Sequence, residues 1–170
     1  MIELKYNKNV FHFRKNAKLK EILENKKAIE IVPIKEWAQF LEAKDSIVSI
    51  NVLKNILLEK INLYDNSENV NSFILNGEHF WLDKATRVGL SLLFNSTEDE
   101  KVSLATDKKI VELPLENAKE FLKDLEVYAG KCYLRTALHK QNVANLRKEE
   151  DIINYRYTTG YPDKLVLNVE

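Results

Sequence analysis

The stretch LENAKEFLKDLEVYAGKCYLRTALHKQNVANLR, residues 115–147, decides the fold because it carries the longest unbroken periodic pattern in the chain. Its apolar and small residues recur at alternating spacings of four and three, the heptad rhythm of a helix packed lengthwise on other helices. This heptad stripe consists of Ala118, Leu122, Leu125, Ala129, Cys132, Thr136, His139, Val143 and Leu146. The sequence therefore predicts one long C-terminal helix, and further apolar residues on neighbouring faces predict burial on more than one side.

Two hairpins and a helix are predicted before this long helix. Phe73–Leu75 and Glu78–Leu82 flank Asn76-Gly77, a dipeptide that supplies the two positive φ values of a type I′ turn. Asp83 is placed to cap a helix that runs to about Asn95. Its apolar residues are Ala85, Val88, Leu92 and Leu93. A second hairpin is predicted from two alternating runs, Lys101–Thr106 and Ile110–Leu113, around residues 107–109.

The N-terminal part of the chain mixes strand and helix signals. The first signals predict a hairpin of Ile2–Tyr6 with Val10–Phe13, and then a helix from an Asn16 cap to about Lys26. A strand is predicted at Ala28–Val32, ended by Pro33. A helix at about Lys35–Ala43 and a strand or turn at Ile47–Ile50 are predicted next. A further helix is expected to bury Leu53, Ile56, Leu57 and Ile61, which recur at helical spacing.

These signals predict an α+β protein with two small antiparallel hairpins packed with helices, one long C-terminal helix and a mixed α/β N-terminal half. A polar run, Tyr64–Asn71, separates two apolar segments and is the candidate boundary. We therefore expect an N-terminal region at 1–70, involved in attachment or docking, and a C-terminal domain at 71–170.

Composition limits the functional classes. The 170 residues are 45% hydrophobic and carry 26 basic and 26 acidic side chains, so no net charge attracts nucleic acid or an anionic membrane. Cys132 is the only cysteine, which excludes an intrachain disulfide. We expect neither a signal peptide nor a membrane-spanning helix, since no apolar run is long enough.

No catalytic, cofactor or metal site is predicted. His12, His79 and His139 lack the partners of a ligand motif, and Cys132 with His139 supplies only half of a zinc site. The structural interpretation is favoured for both residues: His139 as a packed, hydrogen-bonded histidine and Cys132 as a small buried hydrophobe. The four glycines are too scattered for a phosphate-binding loop.

Two segments leave alternatives open. The basic run Arg14–Lys27 is diluted by Glu21 and Glu24, so a solvated helix surface is favoured over a nucleic-acid site. Tyr155, Tyr157 and Tyr161 surround Thr158-Thr159-Gly160, and this cluster can dock on its own domain or on a neighbouring protein.

The C-terminal residues also resemble a known family. The run Tyr128-Ala129, Cys132-Tyr133, Thr136 and His139-Lys140, followed by Tyr155 and Tyr157–Pro162, resembles the end of a phage-encoded, tail-associated domain of unknown function. The resemblance covers about Ser72–Leu167. It implies a structural subunit or adaptor of a virion tail, neck or fibre attachment, without enzymatic activity, located in the virion and in the host cytoplasm before assembly. The alternatives are a non-virion assembly factor for tail fibres and a host-directed nucleic-acid or regulatory binding protein.

The expected partners are other virion proteins or further copies of the chain. The long helix outlasts what a half-domain needs, so part of it is expected to protrude into an interface, with Val143 near the exposed end. The candidate interface residues are Ala129, Cys132, Thr136, His139, Val143, Leu146, Tyr155, Tyr157 and Tyr161.

Overall fold

The fold is α+β, as predicted. The computed structural model describes residues 1–42, 50–105 and 110–168, and these contain seven helices and seven strands. The first half of the chain contains β1 (Ile2–Tyr6), β2 (Asn9–Phe13), α1 (Leu19–Glu24), α2 (Lys26–Ile31), α3 (Ile34–Glu42) and α4 (Ile50–Asp65). The second half contains β3 (Ser72–Leu75), β4 (Glu78–Trp81), α5 (Lys84–Ser96), β5 (Lys101–Ala105), β6 (Ile110–Pro114), α6 (Leu115–Asn145), α7 (Glu149–Ile153) and β7 (Val166–Leu167).

The chain divides into two compact units. The first unit comprises Met1–Leu63 and Ala137–Thr159, and the second comprises Tyr64–Thr136 and Gly160–Glu170. The first boundary falls in the predicted polar run, but residues 137–159 belong with the N-terminal part and not with the C-terminal domain. The physical reason is that Val143 and Ile152 lie in the hydrophobic core of the first unit.

The first unit is built around an aromatic cluster. β1 and β2 form the predicted antiparallel hairpin, with Asn7 at φ 53° in its turn. Phe13 meets Trp37 and Phe40 of α3 with ring centroids 5.7 and 5.4 Å apart. The predicted α3 and α4 are confirmed, and Leu53, Ile56, Leu57 and Ile61 are fully buried. Ala43 and the predicted strand or turn at residues 47–49 lie outside the described residues.

Two local predictions in this unit are wrong. Asn16 caps nothing, because α1 begins at Leu19 after Lys18, which makes no side-chain cap. Residues 28–32 form no strand: α2 covers Lys26–Ile31, and the side chain of Asn25 accepts a hydrogen bond of 3.1 Å from the Ala28 amide. This cap satisfies an amide at the helix start, and Ile29 within the helix and Val32 just after it are fully buried.

The second unit contains both predicted hairpins. Asn76 and Gly77 have φ values of 48° and 79°, as a type I′ turn requires, and join β3 to β4. β5 and β6 pair antiparallel, although residues 106–109 between them lie outside the described residues. Unexpectedly, β7 pairs parallel with β3, giving a sheet ordered β4-β3-β7. The core of this unit joins Phe73, Phe94 and Phe121.

The predicted Asp83 cap is confirmed. Its carboxylate accepts hydrogen bonds from the Thr86 amide at 3.0 Å and the Thr86 hydroxyl at 2.7 Å. The Thr86 amide in particular stabilises the carboxylate and lowers the pKa of Asp83 below its usual value. The start of α5 is thus set by Asp83.

Helix α6 contributes to both cores. It is 31 residues long, and Ala118, Phe121, Leu125, Tyr128 and Cys132 lie in the core of the second unit. Val143, further along the same helix, is fully buried in the core of the first unit. The length of the predicted helix is therefore confirmed, but the expectation that Val143 lies near an exposed end is wrong.

Candidate functional site

In the first unit, His139 holds the chain that follows α7. The side chain is 2% exposed, its Nδ1 lies 2.9 Å from the Tyr155 hydroxyl, and its Nε2 lies 2.9 Å from the Thr159 carbonyl oxygen. Because a carbonyl only accepts, Nε2 carries the hydrogen and donates, so in a neutral ring Nδ1 accepts from Tyr155. The Tyr155 ring meets the imidazole edge-on, with centroids 5.6 Å apart. His139 is thus a structural hydrogen-bonding residue of this unit.

In the second unit, Thr136 makes a comparable pair of contacts. Its side chain is 4% exposed, and its hydroxyl donates to the Asp65 carboxylate at 2.6 Å. The Tyr161 hydroxyl lies 2.9 Å from the Thr136 hydroxyl oxygen. Since the single hydroxyl hydrogen of Thr136 goes to Asp65, Tyr161 is the donor in the second bond. Burial raises the pKa of Tyr161, which keeps this donor protonated.

Gly160 follows directly in the tyrosine segment. Its φ is 77°, and a Cβ built there would lie 2.4 Å from Cζ of Arg135. The left-handed backbone favours glycine, and any larger residue would also have to displace the guanidinium group of Arg135. The tyrosine cluster contacts its own chain through Tyr155 and Tyr161, whose hydroxyl groups bond to His139 and Thr136.

Lys164 anchors the end of the chain in the second unit. Its ammonium group donates to the Asn69 carbonyl at 3.1 Å and to the Ser72 hydroxyl at 2.8 Å, and it also contacts the Glu68 carbonyl. Burial lowers the pKa of Lys164. These bonds hold the segment just before β7, where it pairs with β3. Sequence reasoning missed this anchor because no periodic pattern marks a two-residue strand.

Cys132 and Tyr128 are adjacent on the buried side of α6. Burial raises the pKa of both groups, so the thiol stays protonated rather than forming the thiolate that a nucleophile needs. This agrees with the structural interpretation of Cys132. Among the described residues, no group of three or more His, Cys, Asp or Glu side chains is placed to hold a metal ion.

Cys132 also lines a cleft of about 290 Å³ within the second unit. Three charged residues of this cleft have structural contacts: Arg87 donates to the Leu82 carbonyl at 3.0 Å and pairs with Glu126, Asp83 caps α5, and Asp65 accepts from Thr136. The complete lining is Asp65, Asn66, Val70, Asn71, Leu82, Asp83, Lys84, Arg87, Ala129, Cys132 and Tyr133. Its four charged residues are two acidic and two basic, so their formal charges cancel.

The candidate interface residues lie on the inward side of their own chain. Cys132, Thr136, His139 and Val143 are buried, while Ala129, Leu146, Tyr155, Tyr157 and Tyr161 are half-buried. A partner meets the outside of a folded chain, so the heptad stripe is core and does not protrude. The polar members Thr136 and His139 bind intrachain groups, and the expectation that they set register against another subunit stays a prediction.

The exposed apolar surface lies elsewhere and was missed. On α5 the inward residue is Phe94, and Val88, Leu92 and Leu93 are 48%, 66% and 40% exposed. On the outer side of α6, Val127 and Leu134 are 53% and 59% exposed. The sequence shows the apolar residues of α5, but the same pattern also fits a helix that packs Val88, Leu92 and Leu93 against the core.

The chain is an α+β protein whose motif residues hold its own C-terminal segment. No protein-family model, curated protein or solved structure matches it significantly. No helix in the described part of the chain combines the length and apolar character needed to cross a membrane.

Proposed function

We propose that this chain is a non-enzymatic structural subunit or adaptor of a bacteriophage particle, acting at the tail, neck or fibre attachment. The observation that carries the proposal is the role of the residues behind the family resemblance. Thr136 and His139 of α6 bind the segment containing Tyr155, Thr159 and Tyr161, each within one unit. A motif made of such contacts preserves a fold, as expected of a domain that recurs in structural proteins.

The same contacts support a role without catalysis. Both ring nitrogens of His139 are engaged, and the Cys132 thiol is buried with its pKa raised. A general base or nucleophile needs a free, exposed reactive atom within reach of a substrate. The strongest candidates for chemistry are therefore used for structure.

Exposed aliphatic side chains support a role in assembly. Monomeric soluble proteins rarely expose contiguous apolar patches, and such patches mark contact surfaces. The neighbouring Val88 and Leu92 on α5 form a patch of this kind. We propose that in the infected cell the protein passes from the cytoplasm into the virion, where such surfaces become covered.

Mass spectrometry of particles purified by density gradient tests the virion assignment. We expect peptides of this chain to co-sediment with particles at a constant ratio to the known tail proteins, and to remain after a high-salt wash. Particles that lack the chain, while lysates contain it and fibres misassemble in its absence, would instead establish the assembly factor. The two outcomes separate a component from a helper.

Nucleic-acid binding is a second candidate because positive charge is concentrated near the N-terminus. Eight basic and three acidic residues fall within residues 1–27, although the whole chain is neutral. Opposing this, Lys20 and Lys26 already face Glu24 and Glu59 at 4.0 and 2.6 Å. Micromolar DNA binding with a steep salt dependence, lost in Lys18→Glu/Lys20→Glu, would favour this alternative.

A further inference from the structure

Helix α5 presents an apolar face to solvent on the side opposite its core contact. At 100° per residue, Ala85 and Leu92 point about 180° away from Phe94, with Val88 and Leu93 on either side. An outward face of this composition is unusual for a surface helix, which normally places charged residues there. It is therefore a candidate contact surface.

Gly89 lies in the middle of this outward face. It has a helical backbone, and a Cβ added there would meet no atom of the described residues within 4 Å, so none of these residues requires glycine at this position. Glycine in a helix interior is unfavourable relative to alanine. Glycine at position 89 therefore lowers the stability of the monomer and leaves a space beside Leu92. An apolar side chain of another molecule that enters this space would account for the glycine.

Charged residues of opposite sign precede and follow the apolar part of α5 in sequence. Lys84 begins α5, and the loop that follows the helix carries Glu98, Asp99 and Glu100. Lys84, Glu98 and Glu100 form no ion pair among the described residues, while Asp99 accepts a hydrogen bond from Thr97. Along the chain, the apolar segment thus follows Lys84 and precedes three acidic residues, with Asp83 and Lys101 next to these groups.

We propose that this face binds the same face of a second copy of the chain, with the two α5 helices antiparallel about a two-fold axis. Reversal places the positive end of one copy beside the negative end of the other, at both ends at once. With the axis between Leu90 and Ser91, Gly89 lies opposite Leu92 of the other copy. Lys84 then lies beside Glu98 and Glu100 of that copy. This inference rests on α5 alone and holds with or without a phage origin.

Sedimentation of the full-length chain tests the proposal. We expect a monomer–dimer equilibrium at roughly ten to a hundred micromolar, weakened by salt because charged ends contribute. Leu92→Asp places a charge in the covered centre and should raise Kd by at least about tenfold. Leu134→Asp is the matched control, since Leu134 on α6 is 59% exposed and lies outside the face; this variant should dimerise normally.

Charge reversal tests the antiparallel arrangement. Lys84→Glu should weaken the dimer, and the combination Lys84→Glu/Glu98→Lys/Glu100→Lys should recover it, because both ends then attract again. Gly89→Ala should raise Tm at low concentration yet weaken dimerisation, whereas Gly130→Ala, in another exposed helix position, should raise Tm alone.

A wild-type chain that stays monomeric at roughly two hundred micromolar would overturn the proposal. So would equal effects of Leu92→Asp and Leu134→Asp, or a triple variant no better than Lys84→Glu. Circular dichroism of each variant confirms folding before dimerisation is compared. Virion incorporation is measured separately, so a failed dimer does not count against the virion assignment.

Discussion

Replacing Thr136 by valine should destabilise the second unit by about 2–3 kcal/mol. The substitution keeps the shape of the side chain and removes only the hydroxyl group, which donates to Asp65 at 2.6 Å and lies 2.9 Å from the Tyr161 hydroxyl. A hydrogen bond to a charged group contributes roughly 1.5–3 kcal/mol and a neutral one about 1 kcal/mol. Asp65 is only half-buried and can regain water, which places the expected loss at the lower end of their sum.

Urea denaturation followed by circular dichroism measures this loss. In a chain of this size it corresponds to a fall in Tm of about 5–10 °C. Thr136→Ser is the control: it retains both hydrogen bonds and loses one methyl group, at a cost of about 1 kcal/mol. In a double-mutant cycle, Tyr161→Phe should cost less in the Thr136→Val background than in the wild type. Equal losses for valine and serine would refute the structural role assigned to the hydroxyl.

Two further predictions concern the backbone and pH. Gly160→Ala should cost more than Gly77→Ala: both positions have positive φ, worth about 1–2 kcal/mol against alanine, but only at Gly160 would the new Cβ displace Arg135. Equal Tm values for the two variants would contradict this. Burial lowers the pKa of Lys60 from 10.5 to about 8, so between these values the unfolded chain binds more protons and stability should rise with pH. Lys60→Met should reduce that rise in urea titrations from pH 7.5 to 10.5, leaving the contribution of Lys164, whose pKa is also lowered. An unchanged slope would exclude Lys60 as a source of the rise.

Short-range signals predicted the second unit well because each one determines its own geometry. The Asn76-Gly77 turn needs two positive φ values, and Asp83 reaches an amide only three residues ahead. Neither depends on what the rest of the chain does. Such elements are therefore predictable from a few residues.

Residues 28–32 show where local signals fail. Isoleucine and valine favour strands, but the Asn25 side chain accepts a hydrogen bond from the Ala28 amide, and Ile29 is buried within the helix that starts there. Both structures satisfy the local preferences, and the core selects one. The same ambiguity concealed the outward face of α5, since apolar residues on a helix do not say which side the core occupies.

The pairing of β3 with β7 could not be predicted from a local sequence pattern. The parallel bridge from Ile74 to Val166 joins residues far apart in sequence and involves only two residues of β7. Its position depends on Lys164, whose side chain binds the loop before β3. A lone lysine near the end of a chain gives no such indication.

The polar residues of the heptad stripe carry a more general consequence. In a coiled coil between chains, a polar residue at a seam position fixes the register of the partner helix. Here Thr136 and His139 select intrachain partners instead, because Tyr161 and Tyr155 follow on the same chain and reach them. A heptad pattern alone does not distinguish these cases. The polar positions of the stripe distinguish an intrachain from an interchain contact, because each needs a complementary hydroxyl, carboxylate or carbonyl group. Here a tyrosine-rich segment further along the same chain supplies such groups. The assembly proposed above would then use surfaces outside the stripe, and the exposed side of α5 is the surface proposed for it.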